Sequence, residues 1–431
     1  MNFSPIILIA FLTSSAFAAP VSFRKDIAPL LHRRCVTCHC EDSAKGDYRL
    51  DTFKRMLDDV KPGNAEKSQL YKLLIESDPE DRMPQRADAL STRDIDLIRR
   101  WIDEGAVNDG GPAERPLAEI IRETLLHPAP KTYIRPVPVT AMAFSPDGSK
   151  LAVSGYYEVT LWDIATGALV RRIGGMPERI TSIAWHPKRN LIAVAGGTPS
   201  QWGAVWFIDP ANEFIPRILC DLPETALCVA FSPDGKQLVA GGGDRTIRIF
   251  ETAKGKQVKL LKQHADWVQS ITFSNDGTRF ISSSRDRTAR LHDSTTGEVL
   301  ATMPSEAPFL AAVFPRNATT MIAASRGQTI QQWDTLKGKV VAEFTEAGKE
   351  VQVLATCDAG LLTGSSDGLV RLMQFSNHVS LLTFYGHNDV VESIAVAPDR
   401  RTFASGDYSG EIFVWTNACE APIHSFIALP R

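Results

Sequence analysis

The chain has 431 residues, of which 44% are hydrophobic and 23% are charged, and this is an ordinary globular composition. Its length indicates two or three domains, although one large β architecture could occupy most of it. The formal net charge is −3, so the chain lacks the basic excess that charge-driven binding of nucleic acid requires. The seven cysteines are odd in number and unevenly spaced, and this excludes a regular disulfide framework.

The N-terminal 18 residues have the pattern of a cleaved signal peptide. Residues 6–12 form an unbroken apolar run, and Ala16-Phe17-Ala18 supplies a small-x-small cleavage pattern, although no basic residue precedes the run. Seven apolar residues are too few to span a bilayer. We therefore expect a signal peptide at residues 1–18 and an exported chain, periplasmic or extracellular, that is soluble and has no transmembrane segment.

Cys35, Cys38 and His39 form a C-x-x-C-H motif. In an exported chain this spacing is typical of covalent haem attachment, because two thiols one helical turn apart can add to the two vinyl groups while the imidazole reaches the iron. The alternatives are a zinc or iron–sulfur site, which needs further ligands, and a redox dithiol; only Cys40 and His32 lie close in sequence. The motif predicts one haem c on Cys35 and Cys38, with His39 as an axial ligand.

A second axial ligand is expected downstream. Met83 precedes a proline, which holds the chain extended, and a soft thioether on a rigid loop suits low-spin haem iron. His32 is the alternative ligand, or else a solvated helix residue. Met56 lies in a predicted helix and is expected in the core. We predict Met83 as the second iron ligand.

Two helices are predicted around the motif. Apolar residues at helical spacing precede it from Phe23 onward, and a second helix is expected between Ser91 and Gly105. Ser91 has the sequence context of an N-cap, and Gly105 that of a helix stop. Trp101 falls on the apolar face of the second helix, where we expect it to pack rather than to react.

Residues 21–107 resemble the planctomycete-type cytochrome c domain, a small mono-haem, class I-like fold. The resemblance implies covalent haem on Cys35 and Cys38 and iron ligation by His39 and Met83. The sequence departs from the family pattern at Gln85, where a second proline is usual, and at Cys40, where glycine is common. The matching residues are Phe23, Asp26, Ile27, Pro29, Leu30, Cys35-Val36-Thr37-Cys38-His39, Leu50-Asp51, Pro62-Gly63-Asn64, Ser68-Gln69-Leu70, Arg82-Met83-Pro84 and Trp101-Ile102-Asp103-Glu104-Gly105-Ala106.

A repeat with a period near 41 residues follows the first domain. Phe144-Ser145-Pro146-Asp147-Gly148 recurs at residues 231–235 and, as Phe-Ser-Asn-Asp-Gly, at residues 273–277, with weaker copies elsewhere. A turn between apolar strands at this period is the signature of four-stranded propeller blades. The repeats, with Trp-Asp pairs such as Trp162-Asp163, resemble WD repeats.

The predicted fold is therefore multidomain: a small all-α cytochrome c-like domain followed by an all-β, seven-bladed WD40-type propeller. We expect the cytochrome c domain at 19–107, a proline-rich linker at 108–135 with a short helix, and the propeller at 136–431. The last blade closes either with residues 423–428 alone or by pairing with residues 133–135. Cys220 and Cys228 could form a disulfide if their strands are neighbours.

In WD repeats, His, Ser, Asp and Trp side chains form a buried hydrogen-bonded chain, and we expect such residues here to be structural. The fourth repeat contains His264, Ser282 and Asp286, with His292 in place of the tryptophan. The corresponding residues of the seventh repeat are His387, Ser405, Trp415 and, where the aspartate is expected, Ser409.

Three functions are compatible with this organisation. The first is electron transfer by an exported cytochrome whose propeller binds a partner, the redox partner and the rim-bound protein both being unidentified. The second is a propeller-cytochrome oxidoreductase with a second cofactor; the third is a recognition or sensor protein in which haem is auxiliary. His186, His378 and His424 are scattered without common register, so no catalytic residue is predicted.

Overall fold

The computed structural model describes residues 19–36, 38–39, 48–85, 88–209, 216–315, 319–327, 330–344 and 348–428. The predicted signal peptide and Cys40 lie outside the described residues. The chain divides into two compact units between Ile120 and Ile121, within helix α5, and each unit is considered by itself. No helix among the described residues is long and apolar enough to cross a membrane.

The first unit is helical. A continuous helical segment consists of a π-helical turn at Phe23–Ile27, α1 at Ala28–Leu31 and a second π-helical turn at His32–Val36. The helices that follow are α2 (Phe53–Met56), a 3₁₀ turn (Ala65–Lys67), α3 (Gln69–Ile75), α4 (Thr92–Asp103) and α5 (Leu117–Leu125).

Trp101 on α4 forms the centre of the core of this unit. Its ring is fully buried, stacks on Phe23 with centroids 5.5 Å apart and meets Phe53 edge-on at 6.3 Å. Its indole N–H donates to the carbonyl of Val107 at 3.1 Å. The predicted packing role is confirmed, and truncating such a side chain to alanine costs about 3–5 kcal/mol. These contacts fix the helical segment that leads into Cys35.

The predicted start of α4 is also confirmed. The Ser91 hydroxyl accepts a hydrogen bond from the Asp94 backbone N–H at 3.1 Å, as an N-cap does. The helix ends at Asp103, two residues before Gly105, which has a positive φ of 102°. A left-handed residue at this point ends the helix, as expected for a glycine stop.

The second unit is a seven-bladed β-propeller, in which each blade is an antiparallel sheet of four consecutive strands. The first four blades contain β1 (Met142–Phe144), β2 (Lys150–Ser154), β3 (Glu158–Asp163) and β4 (Leu169–Gly174); β5 (Arg179–Trp185), β6 (Ile192–Thr198), β7 (Trp202–Ile208) and β8 (Pro216–Leu222); β9 (Ala226–Phe231), β10 (Gln237–Gly242), β11 (Ile247–Glu251) and β12 (Lys256–Leu261); and β13 (Val268–Phe273), β14 (Arg279–Ser284), β15 (Thr288–Asp293) and β16 (Val299–Pro304). The last three contain β17 (Phe309–Val313), β18 (Thr320–Ser325), β19 (Ile330–Asp334) and β20 (Lys339–Phe344); β21 (Val351–Thr356), β22 (Leu361–Ser365), β23 (Val370–Met373) and β24 (Ser380–Phe384); and β25 (Val391–Val396), β26 (Thr402–Asp407), β27 (Glu411–Thr416) and β28 (Cys419–Ile427).

The repeated Ser-x-Asp-Gly sequence forms the turn between the first two strands of a blade. Ser145 donates to Asp147 Oδ1 at 2.6 Å, and the same pair recurs in the third blade between Ser232 and Asp234 at 2.7 Å. Gly148 has a φ of 73°, which a residue with a side chain rarely adopts. The turn geometry therefore explains why this short sequence recurs in the first, third and fourth blades.

The inner strands of neighbouring blades contact each other around the ring, and β25 of the seventh blade contacts β1 of the first. The last blade is completed by β28 alone, which pairs with β27, so the first of the two predicted closures is correct. Tyr133 lies outside any strand, and its hydroxyl donates to Glu158 at 2.6 Å.

The seam between the seventh and first blades contains side-chain and loop contacts. The Val139 N–H donates to the Asp407 carbonyl at 3.0 Å, and the Ser393 hydroxyl donates to the Val139 carbonyl at 2.6 Å. Phe426 of β28 packs on Trp162 of β3 with centroids 4.8 Å apart. These contacts close the ring without a shared sheet.

Cys220 and Cys228 lie in β8 and β9, which belong to different blades, and both are free thiols. The Cys228 thiol lies 3.6 Å from the Val268 carbonyl of the next blade. The disulfide that the sequence left open is therefore not formed.

The buried polar chain of the seventh blade differs from the sequence prediction. His387 Nδ1 pairs with Asp407 at 3.0 Å, and not with Ser409, whose hydroxyl donates to the same aspartate at 2.8 Å. His387 Nε2 lies 2.7 Å from Ser405, which accepts a 2.8 Å hydrogen bond from the Trp415 indole. The prediction for Ser409 was wrong because the fully buried Asp407, at the end of β26, reaches the imidazole from two residues earlier.

The fourth blade contains the same series of buried hydrogen bonds, but a histidine stands where the seventh blade has Trp415. Asp286 lies 2.8 Å from His264 Nδ1, His264 Nε2 lies 2.7 Å from Ser282 Oγ, and Ser282 Oγ lies 2.7 Å from His292 Nε2. Because Asp286 requires a proton on His264 Nδ1, Ser282 donates to His264 Nε2 and accepts from His292 Nε2. His292 therefore replaces the indole donor of Trp415, but unlike tryptophan it can titrate.

Replacement of His292 by glutamine should make the propeller less sensitive to acid. Burial, with the nearby His264 contributing second, lowers the pKa of His292 to about 3. Because the unfolded residue titrates near 6.5, stability is lost as the pH falls from about 6.5 toward 3, by about 1.4 kcal/mol per pH unit. Melting temperatures between pH 7 and pH 4.5 should fall less steeply for His292→Gln than for the wild type. His424→Gln, in outer strand β28, is the control, and parallel curves for His292→Gln and wild type would contradict the argument.

Candidate functional site

The four predicted haem-binding residues lie around one pocket of the first unit. Cys35, Cys38, His39 and Met83 all line it, and its volume is about 650 Å³ including the open space at its mouth. The other lining residues are Arg34, Tyr48, Leu50, Leu70, Leu73, Leu74, Pro84 and Gln85. Met83 is 44 residues beyond His39 in sequence, so the fold joins two separate segments here.

The C-x-x-C-H segment forms a helical turn. The backbone N–H groups of Cys38 and His39 both donate to the carbonyl of Cys35 at 3.1 Å. Cys35 is partly buried, Cys38 is exposed, and both thiols are free. The turn places the two thiols and the imidazole at the same pocket, as attachment of one flat group through two thioethers requires.

His39 is held in a defined tautomer. Its Nδ1 donates to the backbone carbonyl of Tyr48 at 3.0 Å, so Nε2 carries the free lone pair. The imidazole is 7% exposed and meets the Tyr48 ring edge-on with centroids 5.2 Å apart. A ring nitrogen bound to a backbone carbonyl is the usual support of a metal-ligating histidine.

Met83 approaches the pocket from a loop. Its backbone N–H donates to the carbonyl of Leu73 at 2.9 Å, which ties the loop to α3. His32, the alternative ligand, is 3% exposed, and Met56, the expected core residue, is 0% exposed. Neither is among the residues that line the pocket. The expected core position of Met56 is confirmed.

Burial raises the pKa of Cys35 to about 12, with Cys38 adding to the rise and Arg34 opposing it. Redox-active dithiols show the opposite behaviour, because a lowered pKa makes the attacking thiolate available. The microenvironment of Cys35 therefore differs from that of a disulfide oxidoreductase.

The donor set and the walls fit a haem. The lining is largely apolar, with Leu50 and three leucines of α3. The Tyr48 hydroxyl is buried and has no hydrogen-bond partner among the described residues, although such groups are normally satisfied. Burial also raises its pKa, so it remains a donor at neutral pH. A haem propionate is an acceptor that such a hydroxyl can serve, and Arg34 is a further residue of the pocket lining.

Sequence reasoning missed Tyr48 and Arg34. Arg34 adjoins Cys35 in the chain, and this adjacency is a usable signal. Tyr48 lies nine residues from His39 beyond a segment without a motif, and its carbonyl rather than its side chain contacts the histidine. No group of three or more His, Cys, Asp or Glu side chains in the described part of the chain is arranged to hold a metal ion.

The three histidines noted in the propeller do not form a site. His186 follows β5, where its Nε2 lies 3.0 Å from the Gly235 carbonyl. His378 lies between β23 and β24, with Nε2 3.0 Å from Gln332 Oε1, and His424 lies in β28. The three histidines belong to different blades, and His186 and His378 each contact a residue of a neighbouring blade.

Comparison with known families agrees with this architecture. Residues 35–86 match the family Planctomycete cytochrome C. The segments that match the WD domain, G-beta repeat family are 131–163, 223–251, 255–293 and 378–416. The chain thus combines a planctomycete-type cytochrome c domain with a seven-bladed WD40 propeller.

The chain is also similar to several curated proteins, each over part of its length. The WD repeat-containing protein VIP3 of Arabidopsis thaliana is 29% identical over 31% of this chain and 45% of its own length. The nuclear distribution protein PAC1 of Coccidioides posadasii is 30% identical over 40% of this chain and 39% of its own. The 66 kDa stress protein of Physarum polycephalum is 25% identical over 64% of this chain and 41% of its own. The chain therefore spans less than half the length of these relatives.

Proposed function

We propose that this protein is an exported c-type cytochrome that transfers electrons through one covalently bound haem, with its WD-repeat propeller acting as a scaffold for a protein partner. The observation that carries the proposal is the convergence of Cys35, Cys38, His39 and Met83 on one largely apolar pocket. Export is part of the proposal because of the signal-peptide pattern and because haem attachment to C-x-x-C-H was expected in an exported chain.

In this proposal each residue has a defined task. Cys35 and Cys38 hold the group covalently, and His39 Nε2 and the Met83 thioether are the iron ligands. A bound haem supplies one-electron redox chemistry. The Tyr48 carbonyl keeps His39 in the tautomer that presents Nε2, while the backbone bond from Met83 to Leu73 fixes the ligand loop. These two contacts would hold His39 and the backbone of Met83 in position for the iron.

The surroundings of the pocket favour a raised reduction potential. A methionine ligand raises the potential relative to two nitrogen ligands. The leucines of α3 keep water from that side of the pocket, and a dry, low-dielectric site disfavours the more charged ferric state. Among the described lining residues only Arg34 carries a formal charge at neutral pH.

The scaffold role of the propeller is supported by its repeats. The polar side chains conspicuous in its sequence, such as His264, Asp286 and His387, are engaged in hydrogen bonds within a blade. The matched relatives include a WD repeat-containing protein and are covered over less than half of their lengths, so no partner is transferred from them.

The first test is a pyridine haemochrome spectrum combined with intact mass, on full-length protein produced in an exporting host that attaches haem c. We expect one haem per chain, and none in the double variant Cys35→Ala, Cys38→Ala. Cys419→Ala, which changes an exposed thiol of the propeller, should retain the haem. No covalent haem in the wild type would overturn the proposal, and a second haem would favour the oxidoreductase alternative.

The second test addresses the axial ligand. Met83→Ala should abolish the low-spin His/Met optical spectrum and lower the reduction potential, because the thioether is lost. Met83→His should restore a low-spin spectrum at a potential below that of the wild type, since a second nitrogen ligand replaces the sulfur. His32→Gln should leave the spectrum unchanged. An unaltered spectrum in Met83→Ala removes Met83 from the ligand set.

A further inference from the structure

The propeller encloses a central channel with an unusual distribution of charge. The channel has a volume of about 1020 Å³ including its open ends, and all seven inner strands or the residues beside them line it. One position of the repeat contributes a lining residue from every blade. In chain order these residues are Thr140, Thr181, Leu227, Gln269, Leu310, Gln352 and Glu392.

Glu392 is the only carboxylate or basic side chain among the described residues that line this channel. It is partly buried, and burial, with Asp389 contributing second, raises its pKa. No salt bridge joins it to a cation among the described residues, whereas the buried Glu158 of the same propeller is paired with Arg172 at 2.7 Å. A carboxylate placed in a channel without a counter-charge is costly unless a ligand supplies one.

Other groups in the ring are also acceptors. Gln269 Oε1 is buried without a hydrogen-bond partner among the described residues. The hydroxyl hydrogens of Thr140 and Thr181 are donated to the carbonyls of Ile180 and Ala226, both at 2.6 Å, so these oxygens can offer only lone pairs. The channel therefore favours a ligand that is positively charged and rich in hydrogen-bond donors.

The size and number of the charges indicate which cation fits. Calcium takes six to eight oxygen ligands, commonly with several carboxylates, and the ring supplies one carboxylate. Leu227 and Leu310 give the same ring apolar surface, which suits the methylene stem of a long basic side chain. A single organic cation on an aliphatic stem matches both features.

We propose that the central channel is a binding site for a lysine or arginine side chain presented by a partner protein, with Glu392 as its counter-charge. The inference rests on the proposed scaffold role of the propeller, for which it names the chemistry of recognition. It does not depend on the haem, because every residue that carries it lies in the second unit.

The test uses saturation-transfer NMR and calorimetry on the full-length protein with four short peptides. These are Gly-Gly-Lys-Gly-Gly, Gly-Gly-Arg-Gly-Gly, the first with an acetylated lysine, and Gly-Gly-Met-Gly-Gly. We expect at least one of the cationic peptides to bind and the two neutral peptides to bind at least tenfold more weakly. Equal binding of the acetylated and free lysine peptides, or no binding of either cationic peptide, would overturn the proposal.

Glu392→Gln keeps the shape of the side chain and removes its charge. Binding of the cationic peptides should fall at least tenfold, while the melting temperature should stay the same or rise, because an uncompensated carboxylate has been removed. Glu298→Gln, an exposed residue outside the channel, is the matched control and should bind like the wild type. Unchanged affinity in Glu392→Gln would overturn the proposal, and a lowered melting temperature together with unchanged affinity would assign Glu392 a structural role instead.

The two proposals can fail separately. Covalent haem together with partner capture by the propeller, but without cationic peptide binding, would leave the proposed function intact and reject the channel site. Peptide binding that depends on Glu392 in a protein without haem would reject the electron-transfer role and retain the channel site.

Discussion

The hydrogen bond from His39 Nδ1 to the Tyr48 carbonyl is the contact on which the first unit depends for its chemistry. It selects one imidazole tautomer and sets the direction of the other ring nitrogen. The neighbouring bond from the Leu50 N–H to the His39 carbonyl, at 2.9 Å, attaches the same two segments a second time. Because both bonds use main-chain atoms of residues 48–50, they do not depend on which side chains stand there. The pocket is thus supported by backbone geometry, while Leu50, Tyr48 and Met83 determine what it can hold.

The propeller is organised differently, because the same four-stranded unit is repeated around the ring. Each blade takes four consecutive strands, a Ser-x-Asp-type turn or its equivalent, and in two blades a buried chain that ends in histidine or tryptophan. Hydroxyl groups on or just before the inner strands then join one blade to the next, as Thr140 does with Ile180 and Thr272 with Ala312. The stability of the ring is therefore distributed, and its centre is free to vary in chemistry.

The sequence predicted correctly those features that depend on the spacing of residues within a short motif or on the length of the repeat. The C-x-x-C-H motif, the N-cap at Ser91 and the repeat near 41 residues were all readable, because each depends on residues close together in the chain. Ser409 was assigned wrongly because alignment by position ignores that Asp407 can reach the same histidine from the end of a strand. The Tyr48 carbonyl contact has no sequence signal, since every residue has a carbonyl. The isolation of Glu392 became apparent only when seven strands were placed around one channel.

Closure of the ring by β28 alone has a mechanical consequence. In some closed rings, a strand from one end of the chain completes the sheet at the other end. Separating the terminal blades of such a ring requires breaking a ladder of backbone hydrogen bonds. Here the first and seventh blades adhere through a buried hydrophobic cluster with residues of both blades, the Trp162–Phe426 stack and the hydrogen bonds around Val139. Every blade is a sheet of its own, so this seam is of the same kind as the other six, and the ring is held at each of them by side-chain packing rather than by a continuous ladder.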